Sequence, residues 1–269
     1  MDEKDDLDLL AAFRLIAGWV HESSALVVFT GAGVSTESGI PDFRSPGGIW
    51  TKYDPRELTF QRYLASPEFR KIRWRMFMEM DEIWNARPNP AHLAMAELDR
   101  LGKLKAVITQ NVDGLHQDAG VPADKVIELH GANREVYCLS CNARWPAIEI
   151  RDRIQREGLE IPDCAVCGGL LKTATVSFGQ PMPQAELRRA EQLSREADLM
   201  LVVGSTLVVQ PAALMPMIAK DHGARVVIIN LSESAGDDYA DLVIRGKAGE
   251  VMPAILQEYR ELRATEKTG

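Results

Sequence analysis

No apolar run in this 269-residue chain approaches the roughly 20 residues that a membrane-spanning helix needs. A secretory leader is not indicated either, since residues 1–8 are acidic where a signal peptide is basic. Basic residues are outnumbered, 31 Lys and Arg against 39 Asp and Glu, which leaves a formal charge of −8. That balance disfavours a general nucleic-acid binder; a cationic partner such as a lysine-rich tail stays electrostatically allowed. Internal repeats and low-complexity segments are missing, so a repeat architecture is not expected. Cysteine is scarce, with four residues in all. The expectation is a soluble cytoplasmic protein, a compartment in which paired cysteines favour metal over disulfide. What remains is ordinary globular material, 46% apolar and 26% charged. The length suits one large domain, or a large and a small one.

The four cysteines form two Cys-x-x-Cys pairs, Cys138 with Cys141 and Cys164 with Cys167, separated by 22 residues (142–163). Four thiolates at this spacing suit a closed tetrahedral zinc site, each pair gripping the metal from one tight turn. Such a site has no open coordination position. One zinc ion per chain would therefore be structural, and the chemistry has to lie elsewhere.

Apolar strands alternate with helical patterns. Residues 7–20 carry apolar positions at helical spacing, and 25–29 (ALVVF) read as a buried strand running into Gly31-Ala32-Gly33. Residues 40–60 hold Pro41, Pro46, Gly47, Gly48 and Pro55 and read as a long loop. Helices are expected over 67–84 and 90–101, the second stopped by Gly102. Strands are expected over 105–109, 125–129, 197–203, 225–229 and 241–244, with helices over 211–222 and 249–262. This alternation implies an α/β fold with a parallel sheet covered on both faces. The cysteine module, about 134–174, and the strand-poor segment 35–95 would sit outside the sheet.

Polar residues collect where these strands end. Gly31-Ala32-Gly33 reads as a turn able to offer backbone N–H groups and a helix N-terminus to a pyrophosphate. A plain tight turn reads equally, because Thr36 replaces the third glycine of the dinucleotide fingerprint. The loop beyond it carries Asp42, Phe43 and Arg44, and an aromatic ring there suits a lid over a ligand. Gln110, Asn111 and Asp113 close the next strand. Asn111 and Asp113 would face one side if the chain stays extended, and otherwise form an Asx turn. His130 ends another strand before Gly131 and is the histidine best placed to be a general base. His116 suits packing or capping, and His21, His92 and His222 lie at or near helix ends. Gly204, Ser205, Thr206 and Asn230 repeat the strand-end pattern in the second half. Residues 175–178 (TVSF) and 207–209 (LVV) are either exposed edges that accept a peptide strand or core strands.

These residues resemble the sirtuins, NAD-dependent protein lysine deacylases. The resemblance rests on 31–44 (GAGVSTESGIPDFR), 109–116 (TQNVDGLH), His130-Gly131, both cysteine pairs, 204–211 (GSTLVVQP) and 246–250 (GKAGE), and it runs from about residue 10 to 257. It implies a Rossmann-type NAD-binding domain of residues 1–34, 96–133 and 175–269. It also implies a smaller domain of residues 35–95 and 134–174, a helical insertion plus a zinc ribbon. NAD would touch Gly31, Ala32, Asp42, Phe43, Arg44, Gln110, Asn111 and Asp113, then Gly204, Ser205, Thr206, Asn230, Leu231, Ser232 and Ala248. His130 would be the base, with Asn111 and Asp113 positioning the ribose and a water. An acyl-lysine peptide would lie across Val176, Phe178, Gly179 and Val208. The implied reaction is an acyl transfer from lysine to ADP-ribose, giving free lysine, nicotinamide and 2′-O-acyl-ADP-ribose.

Two departures stand out. Phe178-Gly179-Gln180 replaces the family's Phe-Gly-Glu, and 171–174 (LKTA) replaces its basic-proline segment. Residues 67–85 hold no tyrosine for the Tyr-x-x-Arg clamp that takes acidic acyl groups, so neutral ones are favoured, acetyl first. Two rival functions share part of the pattern. A protein mono-ADP-ribosyltransferase would use the same NAD site, and a zinc-ribbon binding module would use only the cysteines.

Overall fold

Six short apolar runs pair into one parallel sheet. They are β1 (Leu26–Thr30), β2 (Leu104–Thr109), β3 (Val126–Glu128), β7 (Leu199–Val203), β8 (Arg225–Ile229) and β9 (Leu242–Ile244). The order across the sheet is β3-β2-β1-β7-β8-β9, and every pairing is parallel. The computed structural model describes residues 3–43, 47–48, 51, 54 and 58–268. Each run is apolar at nearly every position because both faces of the sheet are covered. Alternate residues serve opposite layers. Leu26, Val28, Leu199, Leu201 and Val203 pack with α1 (Glu3–Glu22), α5 (Pro90–Arg100) and α10 (Ala248–Thr268). Val27, Phe29, Met200 and Val202 pack with α8 (Gln184–Glu196) and α9 (Met215–Asp221). Among the described residues no helix is long and apolar enough to cross a membrane.

The cysteine-bearing segment builds its own sheet. β4 (Gly131–Cys138) pairs antiparallel with β5 (Arg144–Pro146) and β6 (Leu171–Thr175). β4 starts at Gly131, earlier than the module start expected near 134. Two further short helices are α2 (Phe60–Ala65), within the insertion, and α6 (Leu115–Asp118), which follows β2. Trp74 and Phe77 of α3 (Pro67–Glu79) share a core with Val136, Ile150, Ile154 and Leu171, so the helical insertion packs on the cysteine module. Ile150 and Ile154 come from α7 (Ala147–Glu157).

Some elements differ from expectation. The helix read at 67–84 is two, α3 and α4 (Asp81–Asn85), parted at Met80 with φ −81° and ψ 54°. The break lets Trp84 turn back, its Nε1–H donating to Phe77 O at 3.1 Å and its ring meeting Phe77 edge-on. The strand read at 125–129 is only Val126–Glu128, because a 3-10 turn at Ala123–Lys125 takes its start. Residues 212–214 are also a 3-10 turn, and α9 begins at Met215 with Pro216 in its first turn, where a missing N–H is tolerated. α8 is a helix that the sequence pattern did not announce.

Two histidines lie wholly inside. His92 caps α5, its Nδ1 accepting from Asn89 N at 3.4 Å, and His116 Nε2 meets Thr30 Oγ1 at 2.9 Å. Their ring centroids are 5.0 Å apart, and His92 Nε2 and His116 Nδ1 have no hydrogen-bond partner. His116 thus has the packing role expected of it. Burial depresses both, His92 to about 4 and His116 well below the ordinary range, with Asp113 partly opposing the shift at His92. A depressed folded-state pKa means that the unfolded chain binds protons first as pH falls. Stability is therefore full above about pH 6.5 and declines below it. The His92 shift alone is worth about 3 kcal/mol by pH 4. Urea midpoints should fall steadily from pH 7 to pH 5, before most carboxylates titrate. A flat profile over that window contradicts neutral burial.

Candidate functional site: a nucleotide cleft and a cysteine tetrad

The parallel register brings the strand ends level. Thr30 pairs with Thr109 and with Val203, and Val203 pairs with Ile229. The next residue in each case, Gly31, Gln110, Gly204 and Asn230, lines a cleft of about 610 Å³. β1 lies between β2 and β7, so the chain winds outward in both directions from this point. Such a switch point is where doubly wound sheets bind ligands.

Close backbone approach explains the glycines. A Cβ on Gly31 would sit 2.7 Å from Gly204 O, one on Gly33 2.9 Å from Gly204 Cα, and one on Gly204 2.2 Å from Val34 N. Gly204 also holds φ +66°, in the left-handed region. The β1 turn thus lies directly against the β7 turn, with Gly33 N–H donating to Gly204 O at 2.9 Å. Past Gly31 the chain takes up a 3-10 segment, Ala32–Ser38, and not the α-helix of the usual fingerprint. Thr36, at the third-glycine position, donates its hydroxyl to Gly33 O at 3.0 Å. Gly204→Ala should cost more than about 2 kcal/mol and weaken nucleotide binding in the cleft at least about tenfold. Calorimetric titration with unaltered affinity would refute this packing argument.

His130 stands at the mouth of this turn, half-buried and lining the cleft beside Asn111. Its Nδ1 lies 3.0 Å from Gln110 O. A carbonyl only accepts, so Nδ1 carries the proton and Nε2 is the basic nitrogen. Burial lowers the pKa of the ring, and the Gln110 carbonyl opposes this in part. The imidazole is therefore neutral at pH 7, as a general base must be.

Asn111 is 8% exposed and held from below, its Nδ2 donating to Gly31 O at 3.2 Å and Ser35 Oγ at 3.1 Å. Its N–H donates to Thr109 Oγ1, which accepts in turn from Thr30 Oγ1. Asp113 does not line the cleft. Its carboxylate accepts from Ser35 Oγ at 2.8 Å and from Leu115 N at 3.0 Å. The chain leaves the strand after Thr109, so Asn111 and Asp113 do not alternate along an extended segment; both converge on Ser35. Gln110 Nε2 donates to Ser205 Oγ at 2.9 Å, tying the two halves of the sheet across the floor.

Ala32, Asp42 and Phe43 line the cleft, as do Ser205, Thr206, Asn230, Leu231, Ser232 and Ala248. Arg44 lies outside the described residues. Asn230 Nδ2 donates to Ser232 O and Oγ, which fixes its amide. Of the four residues expected to face a peptide, Val208 is in the cleft wall; Val176, Phe178 and Gly179 are not. Neither β-prone stretch is a core strand. β6 ends at Thr175, Phe178 makes a single parallel bridge to Thr59, and 207–209 is irregular. Leu207 holds φ +53° with its N–H on Ser205 Oγ, leaving Val208 exposed at the rim.

Two charged residues in the cleft gave little sign of themselves in the sequence. Glu37 accepts from Gly249 N at 2.7 Å, on the first turn of α10, and Lys247 lies beside it. Glu37 falls inside the 31–44 motif, and that is the only signal it gave.

The four cysteine sulfurs lie within 4.8 Å of one another. Cys138–Cys167 and Cys141–Cys164 are each 3.6 Å apart, near the roughly 3.8 Å edge of a tetrahedron with zinc–sulfur bonds of about 2.3 Å. None is in a disulfide. Each pair folds into the same turn, with Asn142 N on Cys138 O at 3.0 Å and Gly168 N on Cys164 O at 2.8 Å. Asn142 and Gly168 both take positive φ. In each pair the first sulfur-bearing residue is buried and the second exposed. This donor set fits one zinc ion.

Residues 31–211 match the model of the Sir2 family. The chain is 48% identical over 246 residues to NAD-dependent protein deacetylase 1 of Bradyrhizobium diazoefficiens, spanning 91% of this chain and 95% of that one. It is 45% identical to NAD-dependent protein deacylase 2 of Archaeoglobus fulgidus, over 93% and 97% of the two chains. A solved structure from work on the mechanism and regulation of Sir2 enzymes superposes with a TM-score of 0.84 at 44% identity, covering 93% and 98%. A solved Sir2–p53 peptide–NAD+ complex gives 0.80 at 38% identity, covering 96% and 98%. The matched span holds the glycine turn, the His130 strand end and both cysteine pairs, and on that agreement the chain belongs to the Sir2 family.

Proposed function

We propose that the chain is an NAD-dependent protein lysine deacylase that removes neutral acyl groups, acetyl first. The observation that carries this reading is the His130 ring, its Nδ1 on the Gln110 carbonyl, in the wall of a switch-point cleft with Asn111. The deacetylase and deacylase names of the two relatives favour acyl removal over ADP-ribosyl transfer to protein. When bound, NAD supplies the nicotinamide leaving group and the ribose hydroxyl that takes the acyl group.

The chain's own residues supply positioning and one proton transfer. Gly31, Ala32, Gly204, Ser205 and Thr206 would form the cradle for the pyrophosphate, the two glycines letting the β1 and β7 turns touch. Asn230, Leu231, Ser232 and Ala248 would receive the adenosine end. Asp42 and Phe43 would cover the nicotinamide side and exclude water, with Arg44 assigned there by resemblance. Asn111, clamped by Gly31 and Ser35, orients the ribose, and Asp113 acts through Ser35. Held geometry matters because an amide carbonyl is a weak nucleophile. His130 Nε2 then accepts a proton from a ribose hydroxyl.

The acyl-lysine peptide would run between the Val176–Phe178–Gly179 lip and Val208. The chain would divide into a Rossmann-type domain (1–34, 96–133, 175–269) and a small domain (35–95, 134–174). The cysteine tetrad would hold one structural zinc, and the enzyme would work in the cytoplasm without binding nucleic acid. Nicotinamide release from NAD tests the reading. It should depend on an added acetyl-lysine peptide, and release that ignores the peptide would count against it.

A further inference from the structure

β4 does not follow β6 along its whole length. Between the Gly131–Thr175 and Val136–Thr173 pairs, β4 advances five residues while β6 advances two. The extra length bulges out of the small sheet and meets the turn that follows β2. Bulges next to active sites commonly re-aim a side chain in this way. Asn133 N–H donates to Val112 O at 2.8 Å. Arg134 Nη2 donates to Gly114 O at 2.6 Å and to the Asp118 carboxylate of α6.

Gly114 is fitted to this contact. It holds φ +74°, and a Cβ on it would lie 1.8 Å from Arg134 Nε and 2.3 Å from Arg134 Cζ. The guanidinium occupies the place where a side chain would begin. Both carbonyls that flank Asp113 are therefore fastened by β4. Asp113 in turn accepts from Ser35 Oγ at 2.8 Å, and Ser35 Oγ accepts from Asn111 Nδ2 at 3.1 Å. A continuous path runs from Arg134 through Gly114, Asp113 and Ser35 to the amide in the cleft.

The alternative is a plain surface ion pair with Asp118. The two side chains are 43% and 46% exposed, and a pair that open contributes little to stability. An ion pair alone requires neither the donation to Gly114 O nor the missing Cβ, and it leaves the cleft unaffected.

We propose that Arg134 is a positioning residue. From the cysteine module it fixes the turn at residues 112–114, and through Asp113 and Ser35 it sets the Asn111 amide in the cleft. The effect on turnover rests on the deacylase reading; the effect on the amide does not.

Arg134→Met in the zinc-loaded full chain is the test. Its Tm should stay within about 4 °C of wild type, because the lost pair is exposed. The kcat for peptide-dependent nicotinamide release should fall about ten- to hundredfold, with KM for NAD changed less than about twofold, since a misaligned ribose still binds. In a Ser35→Ala background, where the path is already cut, the same substitution should cost less than about twofold. In the ligand-free protein, the side-chain amide resonances of Asn111 should shift in Arg134→Met while those of Asn230, across the cleft, stay in place. A wild type that releases no nicotinamide would overturn the deacylase reading, and the amide comparison would still decide this one. An unmoved Asn111 amide overturns the proposal, as do losses from Arg134→Met and Ser35→Ala that multiply in the double variant.

Discussion

His130→Ala is expected to bind NAD with near-normal affinity and to lose turnover by about 10²- to 10⁴-fold, the usual worth of a positioned general base. The ring's one strong structural tie is Nδ1 to the Gln110 carbonyl. The glycine cradle and the Asn111 clamp do not depend on the imidazole, so cofactor affinity should survive. The pH profile offers a second readout. Burial lowers the His130 pKa below its ordinary 6.5, so the acid limb of kcat/KM should fall below pH 6.5. A limb above pH 7, or a variant whose turnover matches wild type at saturating peptide, would remove His130 from the role of base.

Loss of the metal is expected to have the larger structural effect. Structural zinc sites bind with about 10–16 kcal/mol, and that energy is folding energy for the module that carries the ligands. The module has little else to hold it. β5 is three residues long, and the core it shares with α3 is small. Chelation, or Cys164→Ser, should melt β4–β6 while the six-stranded sheet persists. Activity should go with it, because β4 starts at Gly131 beside His130, and the Val176 N–H just past β6 holds the His130 carbonyl. Hydrogen exchange read with metal content checks this. Rapid exchange confined to about residues 131–175 in the metal-free protein is the predicted pattern. Retained protection there, with full activity, would make the tetrad dispensable.

The legible and illegible parts of the chain divide on physical grounds. β1 and β8 stood out because a strand covered on both faces is apolar throughout and ends at a polar or glycine break. The strand-end residues of the cleft were legible for the same reason, since parallel strands present their carboxyl ends together. β4 was hidden. Its sequence, GANREVYC, is largely polar, and its partners β5 and β6 lie on either side of the second cysteine pair, a pairing no local pattern announces. α8 was hidden too, its apolar stripe reduced to residues such as Ala190 and Leu193 among charges. Asp113 was placed at the cofactor by resemblance, while the residues alone left an extended chain and an Asx turn both open; the turn is what forms, with Leu115 N on Asp113 Oδ1. The turn after Thr109 sends it to Ser35 instead. Glu37 could not have been paired from sequence, since Gly249, which it holds, is 212 residues away. Gly33 was read as part of a phosphate turn or of a plain tight turn, whereas its lack of a side chain is also required by Gly204.

The measurement closest to the central claim is the mass of every product from a panel of acyl-lysine peptides incubated with NAD. The account predicts peptides lighter by one acyl group, with equal amounts of nicotinamide and of an ADP-ribose heavier by that acyl group. Acetyl should react well and succinyl poorly, because no tyrosine clamp is present in residues 67–85. Unchanged acyl peptide, with ADP-ribose added to protein instead, would contradict it.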